Sequence, residues 1–173
     1  GCGEGVITIA LKEALGAKEV YGIEISPQSA QAAGERGINV LQVDLDYSNI
    51  PFQNDYFDAV FCGEIIEHLI NVEHLLEEIR RVLKPGGFCI LTTPNLAWWC
   101  NRLMLLAGFQ TYITWVPWGH FLVRGPAQGE LAPGEGRPHI SVMTLRALRE
   151  LISLHDLKIK KLEGASARAD QYS

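Results

Sequence analysis

Apolar residues at Ile7, Ala10, Leu11, Ala14 and Leu15 recur with the spacing of one helix face, and Gly16 stands where a helix commonly ends. The β-branched run from Glu19 to Ile25 reads as a strand. Ser26-Pro27 then opens a second helix, with Ser as its N-cap and Pro at its first position. Gly37 closes that helix, and residues 38–43 form the next strand. Phe57 to Cys62 is mostly apolar, as a central parallel strand should be. Asn71 caps a helix that places Val72, Leu75, Leu76, Ile79, Val82 and Leu83 on one face. Lys84-Pro85-Gly86-Gly87 stops it, and Phe88 to Thr92 makes a further strand. Strands alternate with helices throughout, which predicts an α/β fold with right-handed crossovers and a doubly wound, mostly parallel sheet.

Residues 95–139 break this rhythm. All four tryptophans (Trp98, Trp99, Trp115, Trp118) lie there. Thr144 then caps a last helix through Leu145, Leu148, Leu151 and Ile152, and Leu157 to Leu162 reads as a closing strand. A length of 173 residues suits one domain, taken here as 1–164, with 165–173 as a small, polar tail expected to fray. The chain opens directly on Gly1-Cys2-Gly3-Glu4-Gly5. Such a turn normally follows a buried strand, so the expectation is that the first strand of the sheet is absent from this chain.

Composition narrows the classes. Apolar residues at 47% and charged residues at 20% exclude a disordered chain. Fifteen Lys and Arg against twenty Asp and Glu, a net charge of −5, disfavour generic nucleic-acid binding, which draws its affinity from phosphate neutralisation. The four cysteines, Cys2, Cys62, Cys89 and Cys100, include no C-x-x-C pair, and three sit in apolar runs as small hydrophobes do. A disulfide framework or Cys-rich zinc site is not expected. With no apolar run long enough to span a membrane, the expected location is the cytoplasm.

The glycine turn supplies the first chemistry. Between strand and helix it lets backbone approach a ligand and points free N–H groups at it. The pattern is G-x-G-x-G, whereas the dinucleotide fingerprint needs its third glycine at position 6, which is Val6. Glu24 ends the next strand, where a carboxylate accepts from both hydroxyls of a ribose; the alternative is a solvated strand-end acid. Asp44 ends the strand after that and can accept from an exocyclic amine, or simply form an Asx turn. All three lie at the carboxyl ends of successive strands, the rim where open α/β sheets bind ligands.

In this order the features resemble the class I S-adenosylmethionine-dependent methyltransferases, with their Rossmann-like doubly wound fold. Gly1 to Gly5 looks like the family's first motif, Glu24 like its ribose acid, and Asp44-Leu45 like its adenine-contacting pair. The segment from Asn54 to Gly63, then Leu83-Lys-Pro-Gly-Gly87 and Thr93-Pro94-Asn95, completes the likeness, dense over residues 1–95. The resemblance implies S-adenosyl-L-methionine as cofactor, with Gly1, Gly3, Gly5, Glu24, Ile25, Asp44, Leu45 and Gly63 around it. It implies transfer of a methyl group to a small-molecule oxygen, nitrogen or carbon. It also makes 95–139 a substrate-lid insertion, whose aromatic content suits an aromatic or lipid-like acceptor.

Glu64, Glu67 and His68 stand as i, i+3 and i+4 and would share a helix face; His139 lies downstream. The set is similar to the E-x-x-E-H plus distant His that holds a divalent ion in small-RNA 2′-O-methyltransferases. Metal-free members of the wider family carry Glu-His at the same place, where it orders the loop beneath the cofactor, and no metal is assigned from sequence. His68 and His139 are the candidate catalytic bases, with His120 third. Arg102 and Arg124 could meet an acidic substrate group. Two rival readings stay open: a non-catalytic, methyltransferase-like partner subunit, and a nucleotide-dependent oxidoreductase. A homodimer is a further possibility.

Overall fold

The structure is a computed structural model that describes residues 1–111, 113–114 and 139–164. Gly5 and Gly16, both left-handed at φ 88° and 61°, bound α1 (Val6–Leu15) at its two ends. β1 (Tyr21–Ile23) follows, and Ser26 then caps α2 (Pro27–Glu35), its Oγ accepting from the Ser29 amide. β2 (Asn39–Leu41) lies parallel to β1, pairing Tyr21 with Asn39 and Ile23 with Leu41. Ala30 and Ala33 of α2 are buried, together with Ile38, against this pair.

β3 (Phe57–Gly63) leads into a short 3₁₀ turn, Ile66–His68, and then α3 (Val72–Val82), which Asn71 caps through the His74 amide. β4 (Leu83–Thr92) pairs in parallel with β3, from Ala59 opposite Phe88 to Gly63 opposite Thr92. The stop foreseen at Lys84–Gly87 is a bulge rather than a separate turn. From Phe57–Leu83 to Ala59–Phe88, β3 advances two residues while β4 advances five. Lys84 fastens the bulge, its Nζ 2.8 Å from Asp58 Oδ1.

The described strands form two separate parallel pairs, β1–β2 and β3–β4. Between them the contact is made by side chains: Tyr21 of β1 meets Phe52 and Phe57 edge-on, with ring centroids 4.9 and 5.9 Å away. The periodic face of α3 buries Val72, Leu75, Leu76, Ile79 and Val82. Cys62, Ile66, Leu69 and Leu83 join the core, and α5 (Leu145–Leu154) adds Leu148 and Leu151 at its edge. Cys62 and Cys89 behave as the small hydrophobes expected, burial pushing their thiols up to about 12 and about 11. The outward side of β3–β4 keeps Phe61, Phe88 and Ile90 exposed, and α1 buries none of its residues.

One further expectation changes. Residues 157–162 form no strand: their backbone groups find no ladder partner among the described residues, and Ile159 and Leu162 stay exposed. Within 95–139, α4 (Trp99–Leu106) is a short helix that buries Asn101 and leaves Trp99 63% and Leu106 84% exposed. Trp115, Trp118, His120 and Arg124, and the tail 165–173, lie outside the described residues.

Two substitutions probe this framework. Glu78 is buried and takes Arg81 on both carboxylate oxygens, 2.6 Å from Nε and 2.7 Å from Nη2, while Oε2 also accepts from the Ile50 amide. The Arg81 hydrogen bond holds its carboxyl below the usual range. Glu78→Gln is therefore expected to lower the unfolding free energy by about 2 kcal/mol at neutral pH. A depressed carboxyl stabilises above its unfolded-state pKa and loses that contribution as pH falls through the folded value. The gap between wild type and variant, read by urea unfolding, should thus narrow in acid. The second probe is Gly5, where an added Cβ would lie 2.3 Å from Ile38 Cδ1 at a φ that side chains avoid. Gly5→Ala should cost roughly 1–3 kcal/mol, whereas Gly34→Ala, in open space inside α2, should gain roughly 0.5–1 kcal/mol. Paired melting curves check both signs.

Candidate functional site

The glycine turn folds back on the end of β1. Cys2 N donates to Ile23 O at 2.7 Å, and Gly3 N donates to Glu24 Oε2 at 2.8 Å. The other oxygen of Glu24 accepts from Ser26 N at 3.0 Å, and the Glu24 amide itself donates to Leu41 of β2. One carboxylate thus joins the glycine turn, the start of α2 and the β1–β2 pair. Glu24 is buried, so the reading as a solvated acid falls. Each of its oxygens takes one backbone donor and keeps a second acceptor position. Gly1 lies close enough that a Cβ there would sit 3.1 Å from Glu24 Oε2. Gly3 is left-handed at φ 54° with open space where a side chain would stand. At Gly5 a Cβ would run into Ala33 and Ile38, so the turn packs closely against α2 there. Ile25, next to Glu24, is exposed.

Asp44 forms an Asx turn: its Oδ1 accepts from Asp46 N at 3.1 Å, and its carbonyl accepts from Tyr47 N and Ser48 N. Leu45 packs against the core. Asp46, which the sequence reading passed over, is more deeply placed. Its Oδ1 accepts from Ile70 N at 2.7 Å and Asn71 N at 3.0 Å, fixing the entrance of α3 beneath the loop after β2. The only hint in the sequence was an acid two residues after Asp44.

β3 ends at Gly63, and the next residue, Glu64, is left-handed at φ 51°. Glu64 Oε1 accepts from Thr92 Oγ1 at the end of β4. That turn separates it from Glu67 and His68, so the three residues do not share a helix face as their spacing suggested. The structure brings Glu67 and His68 together with His139 instead. One ligand atom from each lies within 4.8 Å of the others, and the two imidazoles stand edge-to-face with centroids 4.6 Å apart.

Glu67 is fully buried. Its Oε2 accepts from Thr93 Oγ1 at 3.1 Å, and its Oε1 has no hydrogen-bond partner among the described residues. Burial pushes its carboxyl above the usual range. The Glu67 carbonyl accepts from Ile140 N and Ser141 N at 2.7 and 3.0 Å, and Ser141 Oγ donates to Leu69 O. These bonds moor the segment carrying His139. Its Nδ1 lies 2.9 Å from the carbonyl of Ile113. A carbonyl oxygen only accepts, so Nδ1 carries a proton, and in the neutral imidazole the lone pair then sits on Nε2. A cavity of about 300 Å³ opens beside it, lined by Thr114, His139, Ile140 and Val142. Thr93 entered the sequence reading only within the Thr93-Pro94-Asn95 motif, and the Ile113 carbonyl escaped it because backbone acceptors leave no pattern along a chain.

A comparison with known protein families matches residues 1–91 to the model described as "Methyltransferase domain". Among curated relatives, the chain is 27% identical to demethylmenaquinone methyltransferase of Staphylococcus carnosus, over 96% of this chain and 70% of that protein. It is 33% identical to 2-phytyl-1,4-naphtoquinone methyltransferase of Nostoc punctiforme, over 50% of this chain and 40% of that one. The chain spans about two fifths of the length of several curated relatives that it matches. Among solved structures, an S-adenosylmethionine-dependent methyltransferase from Thermotoga maritima superposes with a TM-score of 0.61 at 20% identity, over 90% of this chain and 60% of that one. That likeness shows the Rossmann-like α/β fold. The oxidoreductase reading falls with the family match. Its residues 1–91, which hold the glycine turn, Glu24, Asp44 and Gly63, make up more than half of the chain, and the chain belongs to the methyltransferase-domain family.

Proposed function

We propose that this chain carries S-adenosyl-L-methionine-dependent methyl transfer to a small-molecule acceptor. The observation that carries the reading is the Glu24 arrangement. A buried carboxylate at the end of β1 closes the glycine turn onto α2 and retains acceptor capacity on both oxygens. That fits a ribose, whose paired hydroxyls each donate one hydrogen bond. Gly1, Gly3 and the backbone near Gly63 would border the cofactor, with Ile25, Asp44 and Leu45 on its nucleoside side; Gly5 supports the turn from behind. When bound, the cofactor supplies an activated methyl group on sulfonium, so the protein's task is chiefly alignment in a dry pocket.

The acceptor side would lie toward His68, His139 and the 300 Å³ cavity. His139, with Nε2 unprotonated, is placed to take a proton from an acceptor hydroxyl or an acidic carbon, and His68 stands against it. The apolar side chains of α4, Trp98 before it and the relatives' quinone substrates favour an aromatic or lipid-like acceptor. No helix among the described residues is long and apolar enough to cross a membrane.

Titration of S-adenosylhomocysteine, followed by calorimetry, tests the reading. Glu24→Ala is expected to weaken binding by roughly 1.5–3 kcal/mol, the range for hydrogen bonds to a charged group. Circular dichroism must show the variant folded, because Glu24 also holds the Gly3 and Ser26 amides. Equal affinity in folded wild type and variant would overturn the assignment.

A further inference from the structure

Glu67, His68 and His139 have more in common than proximity. Glu67 Oε1 is a buried acceptor with no donor, a costly state for a carboxylate in protein interior. His139 is held by Nδ1–H on a backbone carbonyl, which leaves Nε2 as its electron-pair donor. That is the support ligating imidazoles usually have: one nitrogen fixed on a carbonyl, the other on the metal. The spacing within 4.8 Å brings all three donors into one small volume. The other acid of the sequence motif, Glu64, is turned away onto Thr92.

We infer that Glu67 Oε1, His68 and His139 Nε2 form a three-ligand site for a divalent first-row transition ion. One carboxylate and two imidazoles suit manganese, iron, cobalt or zinc rather than magnesium, which prefers oxygen ligands and keeps several waters. Metal–ligand bonds of about 2.0–2.2 Å place neighbouring donors about 3–3.5 Å apart, so the cluster contracts on uptake. Glu67 and His68 sit on a short 3₁₀ turn and His139 on a loop, so the contraction falls on these segments and outside α3. Three protein ligands leave coordination positions open on the side of the cavity lined by Thr114, His139, Ile140 and Val142. An oxygen of the acceptor would enter there and be polarised by the ion. This last role rests on the proposed methyl transfer; the ion site does not.

Manganese(II) alone is the probe, because its preference for oxygen and nitrogen donors keeps it off the four cysteines. Its free-ion paramagnetic resonance signal is followed as protein is added. One equivalent should be taken up by wild type. Glu67→Gln, which keeps the side chain's size and its Thr93 contact, and His139→Asn should each weaken uptake at least tenfold. His74→Asn, at a histidine that contacts Ser48 on another surface, should leave it unchanged. No stoichiometric uptake, or uptake unaltered in both ligand variants, overturns the site. S-adenosylhomocysteine titration on the same samples separates the two proposals. Nucleoside binding without manganese uptake removes the ion and spares the methyltransferase reading. Manganese uptake without nucleoside binding does the reverse.

Discussion

The packing of α3 against β3 and β4 sets the position of nearly everything else. Its five buried apolar side chains each contribute roughly 1.5–3 kcal/mol, together more than the polar contacts nearby. Through Ile66 and Leu69 the same core grips the 3₁₀ turn that carries Glu67 and His68. Through Cys62 and Leu91 it fixes the carboxyl ends of β3 and β4. Burying that helix face therefore places the rim groups as well as stabilising the chain.

Upon that base, buried carboxylates do the local joining. Glu24 gathers two loop amides, Asp46 gathers two at the entrance of α3, and Glu78 with Arg81 binds the carbonyls of Ile50 and Phe52. Each acid satisfies amides that a turn would otherwise leave without partners. Glu67 differs from these three. It accepts from one hydroxyl and leaves its second oxygen without a donor, although it is the most deeply buried of the four. Glu24, Asp46 and Glu78 each take at least one backbone amide, and Glu78 takes the Arg81 guanidinium as well; among the described residues, Glu67 takes none on its side chain.

Helices and their caps were legible in the sequence because short-range signals decide them. Ser26, Asn71 and Thr144 cap through their own side chains, and Gly16 ends α1 in the left-handed region. The bulge at Lys84–Gly87 was misread because Pro-Gly-Gly marks a break in direction without saying whether pairing resumes on the same strand. Residues 157–162 carry strand-like alternation, but a strand also needs a neighbour, and neighbours are not written locally. The i, i+3, i+4 rule failed at Glu64 because it presumes a helix, and a left-handed residue there starts a turn instead. His139 was a candidate by type. Its meeting with Glu67 depends on bonds across some seventy residues, beyond the reach of any motif.

Those long-range bonds have a kinetic consequence. The segment from His139 to Ser141 is held to the turn after β3 by the Glu67 and Leu69 carbonyls, with 72 residues between Ser141 and Leu69. Loop closure over such a distance is entropically late compared with the local β3–α3–β4 unit. The burial of Glu67 and its meeting with His139 therefore depend on a segment distant in the chain, and any change that loosens the Ser141–Leu69 bond reaches this corner as well.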